Sequence, residues 1–319
     1  MNIKRAYKSL RRKFRLLYNF PKKLCNTVYY ALLNKEKVLV DNAPIFQFIN
    51  HIRSFNIGDD LNFYLLGELS GKHVIASWSF YHRSIPNVMA IGSIIEWLGN
   101  KDSIVWGSGI LMPTSSQLSN NWKYKISHVA AVRGKKTRDC LIQAGIECPQ
   151  VYGDPALLLP LIYSPKSKKE KSRIGIIPHY KDIDNPNVKR LLVEANGNAI
   201  LISVQKYKNW KDIIDIIFTC DFVISSSLHG LILSDAYGVP NVWATFSELL
   251  AGGRFKFEDY YSAVGKEGFE VKVSDITSLN DILAYKNQYH NIIYDPLPLL
   301  EACPFEIVHP HVLKYLRKS

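Results

Sequence analysis

Residues 225–230, SSSLHG, combine three hydroxyls, an imidazole and a glycine at the junction of two elements. The apolar run 222–224 has the length of a buried strand in a parallel sheet. Helical spacing follows from Gly230 and ends at Gly238. His229 is therefore predicted at a helix N-terminus beyond the carboxyl end of a strand, where parallel sheets bind anionic ligands.

A structural interpretation of His229 is also open, in which a neighbouring carbonyl satisfies the imidazole and the serines only cap the helix. The convergence of hydroxyls, a titratable ring and a helix N-terminus favours the catalytic interpretation. A second histidine, His179, follows the predicted strand 173–177 in the same half of the chain. Two histidines at strand ends can divide the work of a general acid and a general base.

Cationic side chains at other element boundaries are candidates for holding an anion. Arg133 follows the predicted strand 129–132 and precedes a helix, a place from which a guanidinium can hold a carboxylate or a phosphate. Arg254 and Lys256 follow a glycine pair further along the chain. These three residues are predicted to contribute to an anion site.

Two glycine motifs add further candidates. In NIGDD, Gly58 precedes a helix whose first turn holds Asp59, although an acid there also complements the helix dipole. In WGSGI, Gly107 and Ser108 are typical of a loop that approaches a phosphate or a sugar, although glycine turns are common. Asp154, before a proline, is interpreted as the side chain of an Asx-type turn.

Several function classes lack their usual signatures. The sequence has no GxxxxGK[ST], GxGxxG, HExxH or GxSxG motif and no Cys and His cluster at zinc spacing. Neither a metal nor a bound cofactor is predicted. The five cysteines form no CxxC pair, and their odd number argues against a disulfide framework and for a reducing compartment.

Strand-like and helical segments alternate along the chain, which predicts parallel sheets with helices on both faces. The basic stretch 164–172, which contains a proline, is typical of a linker. We therefore predict an α/β protein of two doubly wound, Rossmann-like domains, 38–163 and 173–319, that face a cleft. The predicted strands are 45–49, 73–78, 104–106, 129–132, 173–177, 199–204, 222–224 and 241–244; the predicted helices are 59–69, 135–144, 212–220 and the one that begins at Gly230, and 88–98 is mixed.

The net charge of +12 is concentrated in a basic arm, residues 1–37, which holds eleven Lys or Arg and one acid. In residues 1–20, apolar and basic positions alternate at helical spacing, as in a helix that lies on anionic lipid. The alternatives are a basic helix docked on the protein itself and nucleic-acid binding, but the nearly neutral body argues against an extended nucleic-acid site. With no predicted signal peptide or membrane span, we expect a cytoplasmic protein, peripheral on the inner face of the membrane.

Seven motifs in order resemble the polysaccharide pyruvyl transferase family over roughly residues 50–265: NIGDDLN, WGSGI, VAAVRGKKTRD, YGDPALLLP, IIPHY, SSSLHGLILSDAYGVP and FKFEDYY. The resemblance implies a glycosyltransferase-B-like fold. It also implies transfer of the enolpyruvyl carbon of phosphoenolpyruvate, a co-substrate, onto two hydroxyls of a sugar, giving a cyclic ketal and phosphate. The implied acceptor is a glycan or lipid-linked oligosaccharide of a capsule or exopolysaccharide.

The same resemblance assigns roles to residues. His229 matches the functional histidine of the family, and Arg133 and His179 match positions that hold the donor. The donor-site motif around His229 also includes Ser227, Leu228 and Gly230.

The chain departs from some family branches at one position. Ser227 stands where those branches have an arginine before the LH pair. The negative charge of the donor must then be met by other groups, for which Arg133, Arg254 and Lys256 are the candidates. A two-domain glycosyltransferase that uses a nucleotide sugar is the alternative prediction.

Overall fold

The computed structural model describes residues 37–40, 56–76, 87–99, 101–113, 126–166, 173–248 and 252–319. Their strands form two parallel sheets, with helices between strands. This is the α/β class that the alternating pattern predicted. The predicted strand 45–49, the basic segment 1–36 and residues 167–172 of the predicted linker lie outside the described residues.

The first sheet has the order β2-β1-β3-β4-β5, and neighbouring strands are parallel. The strands are β1 (Lys37–Val40), β2 (His73–Ala76), β3 (Asn87–Met89), β4 (Ser103–Trp106) and β5 (His128–Ala131). The helices of this part are α1 (Ile57–Ser70), α2 (Ile95–Leu98) and α3 (Lys135–Gln143), and a 3-10 helix spans Pro155–Leu161.

The second sheet has the order β7-β6-β8-β9-β10, also parallel. Its strands are β6 (Ile174–Ile177), β7 (Ala199–Leu201), β8 (Phe222–Ser225), β9 (Asn241–Thr245) and β10 (Glu270–Lys272). The helices are α4 (Pro186–Glu194), α5 (Trp210–Thr219), α6 (Leu228–Ala236), α7 (Phe255–Val264), α8 (Leu279–Leu283), α9 (Leu297–Glu301) and α10 (Pro310–Leu316), with a 3-10 helix at Ala284–Gln288. The strand order reverses between β6 and β8, and parallel sheets bind ligands at the carboxyl ends of the strands at such a point.

Local sequence accounts for the helix ends near this point. The Asn56 side chain caps α1 by accepting a hydrogen bond from the Gly58 N–H at 3.3 Å, and Gly71, with φ of 64°, ends the helix. All four side chains of β8 are buried, as expected for a central strand covered on both faces.

Some elements differ from the prediction. α6 begins at Leu228 rather than at Gly230, because the Ser227 side chain caps it, and Ser225 belongs to β8 rather than to the loop. β1 begins at Lys37, the last residue assigned to the basic arm. The elements β1, α4, α7, α8 and β10 and the two 3-10 helices were not predicted.

The C-terminal residues return to the first sheet. Trp106 of β4 donates its indole N–H to the Leu299 carbonyl at 2.8 Å, and its ring meets that of Phe305 edge-on. The Val308 N–H donates to the Leu69 carbonyl, also at 2.8 Å. Leu299 and Phe305 thus contact β4, and Val308 contacts α1.

Candidate active site

His229 lies in the first turn of α6, directly beyond the carboxyl end of β8. The serine turn holds this helix start: the Ser225 hydroxyl donates to a carbonyl of β6 at 2.9 Å, and Ser227 Oγ accepts from the Gly230 N–H at 3.4 Å. A Cβ on Gly230 would overlap Ser225 Oγ, so glycine permits the close approach of α6 to the strands. Leu228 is buried in the core. The motif therefore positions His229.

His179 reaches the same edge of the sheet, because β6 and β8 are neighbouring strands. Its backbone N–H donates to Ser226 Oγ at 2.8 Å, which ties it to the turn before α6. Burial, followed by the charges of Lys256 and Lys181, lowers the pKa of His179 to about 3. Its imidazole is therefore neutral at physiological pH.

Lys256 on α7 is a buried cation near both histidines. It is 8% exposed, its Nζ lies 5.2 Å from the centre of the Phe257 ring, and it forms no ion pair with a described residue. Burial, followed by Arg133 and Lys181, lowers the pKa of Lys256 to about 8. Burial, followed by Arg133 and Lys256, lowers the pKa of His229 to about 3. An anion bound here would supply the missing counter-charge.

Arg133 is fully buried beyond β5. Its Nε donates to Asp259 at 2.9 Å, its Nη1 to Ser93 at 2.5 Å and its Nη2 to the Ile110 carbonyl at 3.0 Å. A Cβ on Gly109 would overlap the guanidinium. Protein groups therefore hold three nitrogens of Arg133. Its charge lowers the pKa of His229 from within a buried ion pair.

Asp154 places a carboxylate beside His229. Its Oδ2 lies 3.8 Å from Nε2 of His229, both atoms are buried, and neither has a hydrogen-bond partner. Its Oδ1 accepts from the Ala156 N–H at 3.0 Å, which is the predicted Asx-type turn. Burial raises the pKa of Asp154 to about 6, although the Ala156 hydrogen bond and Arg133 oppose this. The sequence indicated the turn, but nothing in it indicated the proximity to His229.

The N-terminus of α1, a helix in the part of the chain that forms the first sheet, contacts His229. A Cβ on Gly58 would overlap Nδ1 and Cε1 of the imidazole, so glycine is needed at this contact. Asp59, the next residue, is partly buried. Burial, followed by the neighbouring charge of Asp60, raises the pKa of Asp59 to about 7. A carboxyl group that titrates near neutral pH can act as an acid or a base.

The WGSGI loop packs against the same region. Ser108 is fully buried and donates its hydroxyl to the Gly92 carbonyl at 2.8 Å. Gly107 has φ of 89°, and a Cβ on it would overlap Pro155. The close approach predicted for this loop is made to the turn that holds Asp154.

Arg254 is engaged in ion pairs with two acidic side chains. Its guanidinium forms ion pairs with Glu258, at 3.0 Å, and with Glu270. It borders a cavity of about 400 Å³ that Thr245 and Lys272 also line, at the carboxyl ends of β9 and β10. Lys256, the other predicted cation of this segment, is the one whose charge lowers the pKa of both histidines.

In the part of the chain that the structure describes, no group of three or more His, Cys, Asp or Glu is arranged to hold a metal ion. Within the same residues, no helix combines the length and the apolar character needed to cross a bilayer.

Two neutral imidazoles, a buried ammonium and two carboxyl groups with raised pKa thus occupy one region, an arrangement that can bind an anion and move protons. A profile of the polysaccharide pyruvyl transferase family matches residues 4–247. The chain belongs to this family. Membership of the polysaccharide pyruvyl transferases indicates a transferase with a glycan acceptor, and it does not favour the nucleotide-sugar glycosyltransferase.

A viral protein is also similar to this chain. "Uncharacterized protein L143" of Acanthamoeba polyphaga mimivirus is 28% identical to this chain over 242 residues. The alignment covers 72% of this chain and 80% of the relative.

Proposed function

We propose that this pyruvyl transferase takes its pyruvyl group from phosphoenolpyruvate and forms a cyclic ketal on two hydroxyls of a sugar. The observation that carries the proposal is Lys256, a buried ammonium with no ion-pair partner among the described residues and close enough to lower the pKa of both histidines. Phosphoenolpyruvate carries a phosphate and a carboxylate, and either group would neutralise this charge.

The chemistry needs an acid, a base and cations. Protonation of the methylene carbon makes C2 of the donor oxocarbenium-like, and the first sugar hydroxyl adds to C2 and loses its proton. The second hydroxyl then displaces phosphate from C2 and loses its proton, which closes the ketal. Phosphate leaves with the bonding electrons of the C2–O bond.

We assign His229 as the acid or the base and His179 as its partner or as a phosphate ligand. Both imidazoles are neutral near pH 7, because burial and nearby cations lower their pKa to about 3. A bound dianion offsets those cations and thereby raises the pKa of both rings, so that binding prepares His229 to take up a proton. Arg133 supports the same field from its buried ion pair with Asp259.

The acceptor and its location complete the proposal. We place the acceptor in a capsule or exopolysaccharide pathway, as a glycan or a lipid-linked oligosaccharide, which suits a peripheral enzyme on the inner face of the membrane. The two sheets would belong to two doubly wound domains, 38–163 and 173–319, in a glycosyltransferase-B-like arrangement. The basic arm would then bind anionic lipid.

Thermal unfolding with and without ligands tests the donor. A ligand that binds only the native state raises the melting temperature, so phosphoenolpyruvate should do so and nucleotide sugars should not. The shift should disappear in Lys256→Gln and persist in Lys189→Gln, which removes an exposed lysine instead. If only a nucleotide sugar raises the melting temperature, the donor is a nucleotide sugar and not phosphoenolpyruvate. If phosphoenolpyruvate raises the melting temperature of Lys256→Gln as much as that of the wild type, Lys256 does not bind the donor.

A further inference from the structure

Asp154 and His229 leave one polar atom each without a partner, and these atoms face each other. The Oδ2 to Nε2 distance is 3.8 Å, and closing it by about 1 Å would give an ordinary hydrogen bond. The other carboxylate oxygen is fixed by the Ala156 N–H at 3.0 Å, so the carboxylate cannot turn away without losing the cap of the 3-10 helix. Two buried atoms that lack partners carry a cost in free energy that a function can explain.

We propose that Asp154 is a positioning residue that holds the proton of His229 on Nε2. The lone pair is then on Nδ1, the nitrogen on the Gly58 side. When Nδ1 takes a proton, the carboxylate stabilises the imidazolium. The catalytic consequence rests on the proposed function, but the tautomer itself does not.

The charges around His229 leave this role to Asp154. Arg133 beyond β5 and Lys256 on α7 are cations that disfavour the imidazolium. Asp59 on α1 follows the glycine in contact with the ring, and burial raises its pKa to about 7. Asp154 is the carboxylate with an oxygen 3.8 Å from Nε2 of His229, and neither of these two atoms has another partner.

The variant Asp154→Asn separates capping from positioning. Asparagine caps a helix as well as aspartate does, and its oxygen must stay on the Ala156 N–H, because an amide NH2 cannot accept that bond. The NH2 then faces Nε2 of His229 and favours a lone pair there. The variant should fold, yet the imidazole should change to the Nδ1–H tautomer.

Nitrogen-15 NMR of the histidine side chains in the full-length protein reads the tautomer without any substrate. The chain has nine histidines, and the signal of His229 is identified as the one that is absent from the spectrum of His229→Gln. We expect the Nε2–H tautomer in the wild type and the Nδ1–H tautomer in Asp154→Asn. The control is Asp215→Asn, which removes a carboxylate that accepts from the Tyr163 hydroxyl, and it should keep the Nε2–H tautomer. If pyruvyl transfer is measurable, its rate should fall by about 10²-fold or more in Asp154→Asn.

The wild-type spectrum alone can overturn the proposal, even if the variant does not fold. A wild-type His229 with its proton on Nδ1 would do so, as would an unchanged tautomer in Asp154→Asn. If the tautomer changes as expected but phosphoenolpyruvate is not a substrate, the positioning role stands and the proposed donor fails.

Discussion

Gly58 of α1 and His229 of α6 are in contact, with no room for a methyl group between them. The ring therefore has a defined place only because residue 58 lacks a side chain. The sequence placed both residues at helix N-termini, and the structure adds that the two helix starts touch. In enzymes, a displacement of about 1 Å at a reacting group is enough to lower the rate strongly.

Gly58→Ala should lower the turnover number by about 10²-fold, because the new methyl group displaces the imidazole or α1 by roughly 1 Å. The matched control is Gly67→Ala in the same helix, where a Cβ would lie 3.7 Å from its nearest neighbours. Alanine should stabilise the helix interior by about 0.5–1 kcal/mol and leave turnover unchanged. Steady-state kinetics and thermal unfolding of both variants provide the measurement; equal turnover in both would show that the contact is not critical.

Deprotonation of Lys256 should lower kcat/KM for phosphoenolpyruvate above about pH 8. Its lowered pKa, about 8, means that the ammonium is charged below that pH and neutral above it. The value of kcat/KM for phosphoenolpyruvate should therefore decline as pH rises through about 8, since this parameter reports the free enzyme. In Lys256→Arg the guanidinium stays charged, so the decline should move to higher pH. If kcat/KM declines at the same pH in Lys256→Arg as in the wild type, a group other than Lys256 causes the decline.

At the scale of elements, α7 joins the site to the first sheet. Lys256 and Asp259 lie on this helix one turn apart, and Asp259 accepts from Arg133, from the Thr137 N–H and from the Thr137 hydroxyl, the last two at 2.7 Å. A Cβ on Gly134 would overlap the Asp259 backbone, so α7 also packs closely on the start of α3. The position of Lys256 is thus set by contacts outside its own sheet.

Asp259→Asn should lower the free energy of unfolding by about 3–5 kcal/mol, because it leaves the buried Arg133 charge without its counter-ion. Lys136→Met removes the partly exposed ion pair with Glu258 on the same two helices and should cost only about 0–1 kcal/mol. Urea unfolding of both variants compares the two costs. Similar losses in both would mean that the buried pair does not hold α7 in place.

At the scale of the whole molecule, charge and fold are separate features. The basic arm carries most of the net charge of +12, whereas the two sheets and their helices are nearly neutral. The candidate site is nevertheless locally positive, since Lys256 and Arg133 both lower the pKa of His229. An anionic donor and an anionic surface would therefore be attracted by different parts of the chain.

Substitution of five basic residues of the arm by glutamine should abolish sedimentation with anionic vesicles. Each basic residue near such a surface contributes roughly 1 kcal/mol, so the loss should exceed about 10³-fold in affinity. The five residues are Lys4, Lys8, Arg11, Arg12 and Arg15. The control replaces five exposed basic residues elsewhere, Lys189, Lys286, Lys314, Arg317 and Lys318. If both variants bind the vesicles like the wild type, the arm has another role.

Much of the fold was predictable because its signals are local. The buried run of β8, the caps of α1 and α6 and the glycine near the end of α3 all act within a few residues. β10 was missed because it has three residues and only its middle one is buried, which is too short for periodicity to show. β1 was missed because it begins in the basic arm.

The sequence by itself determined the α/β class, the family and the two histidines at strand ends, since strand runs, helix caps and ordered motifs are properties of neighbouring residues. Only the tertiary structure decided which charges surround those histidines. It placed Arg133 in a buried ion pair, Arg254 in an ion pair with Glu270, and Asp154 and Gly58 against the ring of His229. Contacts between distant residues depend on how separate elements pack, and local patterns do not record that packing.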